Sequence, residues 1–269
     1  MTSDNVMIDI GAVNKTFISP GKTVRALSGI KMKMERGEFS VILGPSGCGK
    51  STLLSLIAGF EEPTGGLIKI DGKKITKPGS DRGFVFQDFA LFPWKSVIGN
   101  IMFGLRQTGK SRKESKEIAM KFINIVGLNG FEKAYPHTLS GGMKQRVGIA
   151  RALAYEPKVV LMDEPFRALD AQTRKKMQME LVGMWQKLRF NVVFVTHSVI
   201  EAVFLADNIY IMTARPGSIK KKLHVDLKRP RDFASEDFFN YRRKALSYLD
   251  EEVEKSLKQI RERNLERIN

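Results

Sequence analysis

The chain has 269 residues, enough to bury a sizeable core, and its one cysteine, Cys48, excludes an internal disulfide framework. With no charged-then-apolar leader at its start, a reducing, cytoplasmic home is expected, and apolar runs such as Val192–Val195 fall far short of the roughly 18 to 20 residues that span a bilayer. A net charge of +16 admits nucleic acid, an anionic membrane surface or phosphorylated ligands, but no aromatic-interleaved RNA-binding pattern accompanies it, so a membrane surface is favoured over nucleic acid.

In chain order, short β-branched runs come first: Met7–Ile10, Ile30–Met34, Phe39–Leu43 and Leu67–Ile70, separated by glycine and proline, predict strands. After Phe84–Phe86 the pattern turns helical over Val97–Arg106, Lys113–Val126 and Gly142–Ala154. Strand-like Val159–Met162 and Val192–Thr196 then return, with the helix Ala171–Lys187 between them, so a mainly helical insert interrupts an α/β core. From about Ser235 the chain predicts a long helix, on which Phe239, Leu246, Val253 and Ile260, with Leu249 and Leu257, form one apolar stripe for its own core or for a partner. Basic residues are dense at Arg106–Lys121, Lys220–Arg231 and Arg242–Lys244.

Gly44-Pro45-Ser46-Gly47-Cys48-Gly49-Lys50-Ser51 fits the phosphate-loop pattern G-x-x-x-x-G-K-[ST], with a strand, Ser40–Leu43, before it and an apolar helix, Thr52–Ala58, after it. Glycines let successive backbone N–H groups converge on an anion, and the helix start adds its positive dipole end. Lys50 can reach the β- and γ-phosphates, Ser51 can ligate magnesium through its hydroxyl and Thr52 can add a phosphate contact. Cys48 reads as a small loop residue.

Val159–Met162 ends in Asp163 and Glu164, two acids that a buried strand can carry only at the carboxyl edge of a sheet. Asp163 would hold magnesium and Glu164 would orient and deprotonate an attacking water. The strand Asn191–Thr196 presents His197 at its end, a polar group suited to the same edge.

Leu139-Ser140-Gly141-Gly142-Met143-Lys144-Gln145-Arg146 resembles the signature motif of ABC-transporter ATPases. Physically it is a second glycine-rich helix start that suits an anion, or simply caps a helix. The resemblance implies head-to-tail pairing of two subunits, an identical copy being expected, in which Ser140, Gly141 and Gly142 of one close over the γ-phosphate held by Lys50 of the other. It also implies a Q-loop role for Gln87 at magnesium or the lytic water, adenine stacking for Phe17 where the family more often has tyrosine, and a γ-phosphate contact for His197. Ala168-Leu169-Asp170 matches the end of the D-loop, with the departure that Arg167 stands where near relatives carry a small residue; it either pairs with an acid or phosphate or points into solvent.

The implied fold is α/β: a P-loop NTPase core of the ABC ATPase type over 1–230, with a mixed sheet, an N-terminal antiparallel β region and a helical insert over about 88–156, then a C-terminal helical extension over 231–269. Phe86–Trp94 and Ala214-Arg215-Pro216-Gly217 look like the nitrate, sulfonate, taurine and bicarbonate importer branch. That branch implies ATP and Mg2+ as ligands, permease subunits contacted near Phe92 and Trp94, a periplasmic or extracellular substrate-binding protein, no nucleic acid, and a peripheral place on the cytoplasmic face of the inner membrane. A soluble ABC ATPase that remodels nucleic-acid or protein assemblies is the rival; its ribosomal types usually carry two cassettes and its DNA types a very long coiled coil, neither of which is seen. An unrelated P-loop kinase would leave Leu139–Arg146 and His197 unexplained.

Overall fold

The computed structural model describes residues 5–265, with side chains described through residue 258. In chain order β1 (Val6–Ser19), β2 (Lys22–Glu35), β3 (Phe39–Leu43), α1 (Lys50–Ala58), β4 (Gly65–Ile70) and β5 (Lys73–Lys74) come first. Next come β6 (Arg82–Val85), α2 (Val97–Gln107), α3 (Arg112–Ile125), α4 (Gly141–Leu153), β7 (Val159–Asp163) and α5 (Ala171–Leu188). The chain closes with β8 (Asn191–Thr196), α6 (Val199–Leu205), β9 (Asn208–Met212), β10 (Ile219–His224) and α7 (Glu236–Leu265). Gly79–Phe190 make one compact unit, and the flanking segments up to Pro78 and from Asn191 make the other.

In the flanking unit β1 and β2 form a hairpin that turns between Ser19 and Lys22, and β4 then β5 extend it into an antiparallel sheet ordered β2-β1-β4-β5. Ile30, Met32 and Met34 point inward while Lys31, Lys33 and Glu35 face out, the period of two expected where one face of a sheet is solvated. β3 behaves differently, because it is buried at every position between parallel neighbours β8 and β9. Its apolar residues pack on both faces, with Phe39 against Phe194 at 6.2 Å between ring centroids. The register pairs Leu43 with both Thr196 and Ile211, so three strands deliver their carboxyl ends side by side.

In the Gly79–Phe190 unit β6 and β7 run parallel, with Val85 opposite Met162. Its helices start where short polar residues satisfy orphan N–H groups: Ser96 on α2, Ser111 with Glu114 as a capping box on α3, Ser140 on α4 and Asp170 on α5. α2, α3 and α4 bury Ile101, Leu105, Phe122, Ile123, Ile149 and Leu153.

The C-terminal helix departs from expectation in its facing. Phe239, Val253 and Leu257 are exposed and Leu246 only partly covered, whereas Phe238, Ala245, Leu249 and Glu252 are buried. Only Leu249 of the expected stripe faces the core; Ile260 lies outside the described side chains. Counting hydrophobes passes over the true face because it includes an alanine and a carboxylate. The basic run Lys220–Arg231 is likewise drawn partly into the fold. Arg229 pairs with Asp207 at 2.6 Å, and Arg231 donates to the carbonyls of Val203, Phe204, Ala206, Val225 and Leu227.

Arg231 is 6% exposed, and its guanidinium supplies the donors that the last carbonyls of α6 lack. Burial, and then the neighbouring Arg229 charge, bring it down to about 10, so it stays cationic at neutral pH. Arg231→Met should therefore lower the unfolding free energy by on the order of 3 kcal/mol through orphaned carbonyls, and Arg231→Lys should recover little because one ammonium cannot span the same fan of acceptors. Denaturant melts of the three proteins measure this.

Candidate functional site

The phosphate-loop sequence leaves the buried end of β3 and closes on α1, which begins at Lys50, two residues before the expected start. Gly47 and Gly49 take φ of +75° and +106°, left-handed values that suit glycine. At Gly49 a Cβ would come within 2.7 Å of Leu27 and 3.1 Å of the Ala26 carbonyl, so space and backbone both demand glycine. Lys50 is only 5% exposed, and its ammonium donates to the Gly44 and Pro45 carbonyls at 2.9 Å, folding over its own loop. Unlike α2 to α6, α1 has no side chain capping its start, and its first turn carries no acid. Such a helix start suits an anion. Ser46 and Ser51 are exposed and Thr52 half-buried. Burial pushes the Cys48 thiol up, despite the opposing Lys50 charge, which fits a packing residue rather than a nucleophile.

β8 runs parallel to β3, so its end sets His197 beside the loop's point of departure. Behind His197, the buried Thr196 hydroxyl donates to Glu201 at 2.6 Å and accepts the Ser198 N–H at 3.0 Å, fixing the strand-to-helix turn. Phe17 lies on the β1–β2 hairpin opposite Val24 and is 38% exposed, with the Lys15 ammonium 4.9 Å from its ring centroid. An aromatic face is thus available for stacking.

The Gly79–Phe190 unit carries the other candidates. Parallel β6 and β7 end side by side, so Gln87, just past Val85, and Asp163 with Glu164, just past Met162, leave the same sheet edge. Glu164 has φ of +42°, a strained conformation for a non-glycine residue, and a side chain 12% exposed. Arg167 both pairs and faces water: its guanidinium is 3.6 Å from the Glu164 carboxylate and 59% exposed. Among the described residues no group of three or more His, Cys, Asp or Glu could hold a metal ion.

Ser140 and Gly141 form an exposed turn at the start of α4, where the Ser140 hydroxyl accepts the Met143 N–H at 3.3 Å. Gly142 is half-buried, and a Cβ there would press on Thr173 at 3.0 Å. Asp170 caps α5 through the Thr173 N–H at 2.9 Å, while Arg174 donates to the Phe166 and Leu169 carbonyls, so the segment matching the D-loop is tied down at both ends. Phe92 packs on Phe103 at 4.6 Å, whereas Trp94 is 70% exposed.

Sequence reasoning missed Arg151. From α4 it donates to the Ala90 and Phe89 carbonyls at 2.6 and 3.0 Å, holding two consecutive residues in left-handed conformations just after Gln87. Nothing in the spacing of Arg151 signals this contact, which exists only once α4 is folded against that turn.

No described helix is long and apolar enough to cross a membrane. A family model described as ABC transporter matches residues 27–167. An uncharacterized ABC transporter ATP-binding protein of Methanocaldococcus jannaschii is 53% identical over 253 residues, covering 94% of this chain and 95% of that protein. The nitrate import ATP-binding protein of a Synechocystis strain is 50% identical over 82% of this chain and 83% of its own length, and an aliphatic sulfonates import ATP-binding protein of Bacillus cereus 45% identical over 90% and 96%. Among solved structures, a dimeric post-hydrolysis state of an ATP-binding cassette bound to ADP and Pi superposes with a TM-score of 0.73 at 32% identity, over 82% of this chain and 100% of that one. The phosphate loop at the end of a buried parallel strand, the acid-tipped β7 and the serine-glycine start of α4 thus sit in a cassette fold, and the chain belongs to the ABC transporter family, as one of its ATPases.

Proposed function

We propose that this chain is the ATP-hydrolysing subunit of an importer for a small anion such as nitrate, a sulfonate, taurine or bicarbonate. The observation that carries the assignment is the 50% identity, over 220 residues, to a nitrate import ATP-binding protein, joined by 45% identity over 243 residues to an aliphatic sulfonates one. Solute specificity resides in other subunits of such systems, so the choice among these anions is not written in this chain. Its ATPase domain is assigned to 1–230, with the helical insert over about 88–156 and a C-terminal extension over 231–269.

In this proposal the Gly44–Thr52 loop receives the phosphates and Phe17 stacks on the adenine. Lys50 neutralises charge on the β- and γ-phosphates, Ser51 and Asp163 hold magnesium with help from Gln87, and His197 contacts the γ-phosphate. Magnesium, when bound, offsets charge that develops on the transferred phosphoryl group. Glu164 orients the water and takes its proton, a task for which a carboxylate at an apolar strand end is suited. Because a solved relative is a dimeric cassette bound to ADP and Pi, two copies are assigned to pair so that Ser140, Gly141 and Gly142 of one cover the nucleotide on the other. Phe92 and Trp94 are assigned to the permease contact; an indole 70% exposed beside two packed phenyl rings supports that choice. The complex would sit peripherally on the cytoplasmic face of the membrane and receive its solute from a binding protein.

Two measurements test this. Glu164→Gln should retain nucleotide binding while lowering turnover on the order of a hundredfold or more, the loss expected for a general base; phosphate release at the wild-type rate would remove Glu164 from that role. In liposomes with its permease subunits and binding protein, the wild-type ATPase should be stimulated several-fold (roughly 3 to 10) by one of nitrate, taurine, an alkanesulfonate or bicarbonate, through the population shift a loaded binding protein imposes. Response to none of the four would discard the small-anion assignment, and co-purification with nucleic acid instead of membrane protein would favour a remodelling ATPase.

A further inference from the structure

Ala214-Arg215-Pro216-Gly217, the connection from β9 to β10, has no task in the mechanism above, yet it is built against the phosphate loop. Its ends are stitched down: the Thr213 N–H donates to Ser218 O at 2.9 Å, the Gly217 N–H to Ala26 O at 2.9 Å, and Ser28 N–H to Gly217 O at 2.8 Å. Arg215 Nε donates to the Gly47 carbonyl at 3.0 Å. Gly217 lies so close over the Cys48 carbonyl that a Cβ there would overlap it. From the other side Glu252 of α7, 2% exposed, accepts the Ala214 N–H at 2.9 Å. Lys220 and Lys255 hold the same carboxylate at 3.0 and 2.9 Å, so the buried charge is paired as well as hydrogen-bonded.

A trans peptide points its C=O and N–H in opposite directions. Fixing the Gly47 and Cys48 carbonyls from the Ala214–Gly217 side therefore turns the Cys48 and Gly49 N–H groups the other way, and the Cys48 N–H makes only a long 3.4 Å bond to Pro45 O within the loop. These are two of the amides that a phosphate would take. We propose that Glu252 is a positioning residue for nucleotide binding: by holding Ala214 it sets Arg215 and Gly217 against Gly47 and Cys48, so that α7 aims the amides of the phosphate loop. The inference rests on the assignment of that loop to ATP.

Burial alone would raise the Glu252 carboxyl, but the hydrogen bonds from Lys255, the Ala214 N–H and Lys220 outweigh it and hold it at about 2, so it is a carboxylate throughout the working range. An amide at this position can still accept the Ala214 N–H while losing both ion pairs, which separates aiming the loop from stabilising the helix.

The test is binding of the fluorescent analogue N-methylanthraniloyl-ATP to the full chain, well below each variant's Tm. Glu252→Ala and Arg215→Ala should each raise Kd about tenfold, the worth of one hydrogen bond, and the double variant should be no worse than either alone. In steady state KM for ATP should rise about tenfold while kcat falls less than about threefold. Glu252→Gln should lower Tm yet keep Kd within about twofold of wild type. A purely structural Glu252 would instead give lower Tm with unchanged Kd in Glu252→Ala, and that result, or losses that multiply in the double variant, overturns the proposal. Should Glu252→Ala not fold, Arg215→Ala decides alone: an unchanged Kd overturns the proposal. Wild type that fails to bind the analogue would sink the ATP assignment of the loop, whereas wild-type binding with unaltered variants would sink only the role of Glu252.

Discussion

A loop that offers its amides to an anion cannot also use them to hold itself in shape. Its conformation has to be imposed through its carbonyls and through the strand that feeds it. Both devices are present at Gly44–Lys50. β3 is clamped between β8 and β9 and buried along its whole length, so the loop starts from a rigid point. Beyond it, Lys50 gathers the Gly44 and Pro45 carbonyls and Arg215 takes that of Gly47, while Leu27 and Ala26 leave room only for glycine at position 49. The same parallel register delivers His197 and the Ala214–Gly217 connection to that end of the sheet, since β8 and β9 stop level with β3.

The Gly79–Phe190 unit solves a related problem with strained backbone. Glu164 and the pair Phe89–Ala90 all adopt positive φ, which costs on the order of 1 kcal/mol or more each unless neighbours enforce it. Arg151 enforces the second case by holding both carbonyls, and the first sits on a turn whose following segment is pinned by Arg174 and capped by Asp170. α4 therefore begins at the signature turn and, further along, holds the segment that follows Gln87. One rigid helix carries both tasks without a shared side chain.

Charge is spent in a similar way. The chain is strongly basic, but several of its cations are bound into the fold. Lys220 is shared between Glu251 and Glu252, Arg229 takes Asp207, and Arg231 donates to carbonyls at the C-terminal end of α6. Net charge thus overstates the basic surface left for lipid or nucleic acid, and the exposed lysines of β10 remain only in part.

Local chemistry was enough to place much of this protein from its residues. A glycine pattern between a strand and a helix, an apolar run ending in two acids, and a helical spacing of apolar residues are short-range signals, because turn geometry and side-chain periodicity are settled within a few residues. The strands Phe39–Leu43 and Val159–Asp163 and the helices α2 to α5 lie within a residue or two of where those signals put them. Tertiary structure alone decided which face of α7 is buried, since a stripe containing Ala245 and Glu252 has no hydrophobic signature and Phe238 and Phe239 are equivalent until a neighbour covers one of them. It also decided the partners of Arg151, Arg215 and Glu252. Each of these side chains acts on backbone atoms far away in sequence, and a backbone carbonyl carries no residue type by which a sequence could announce it.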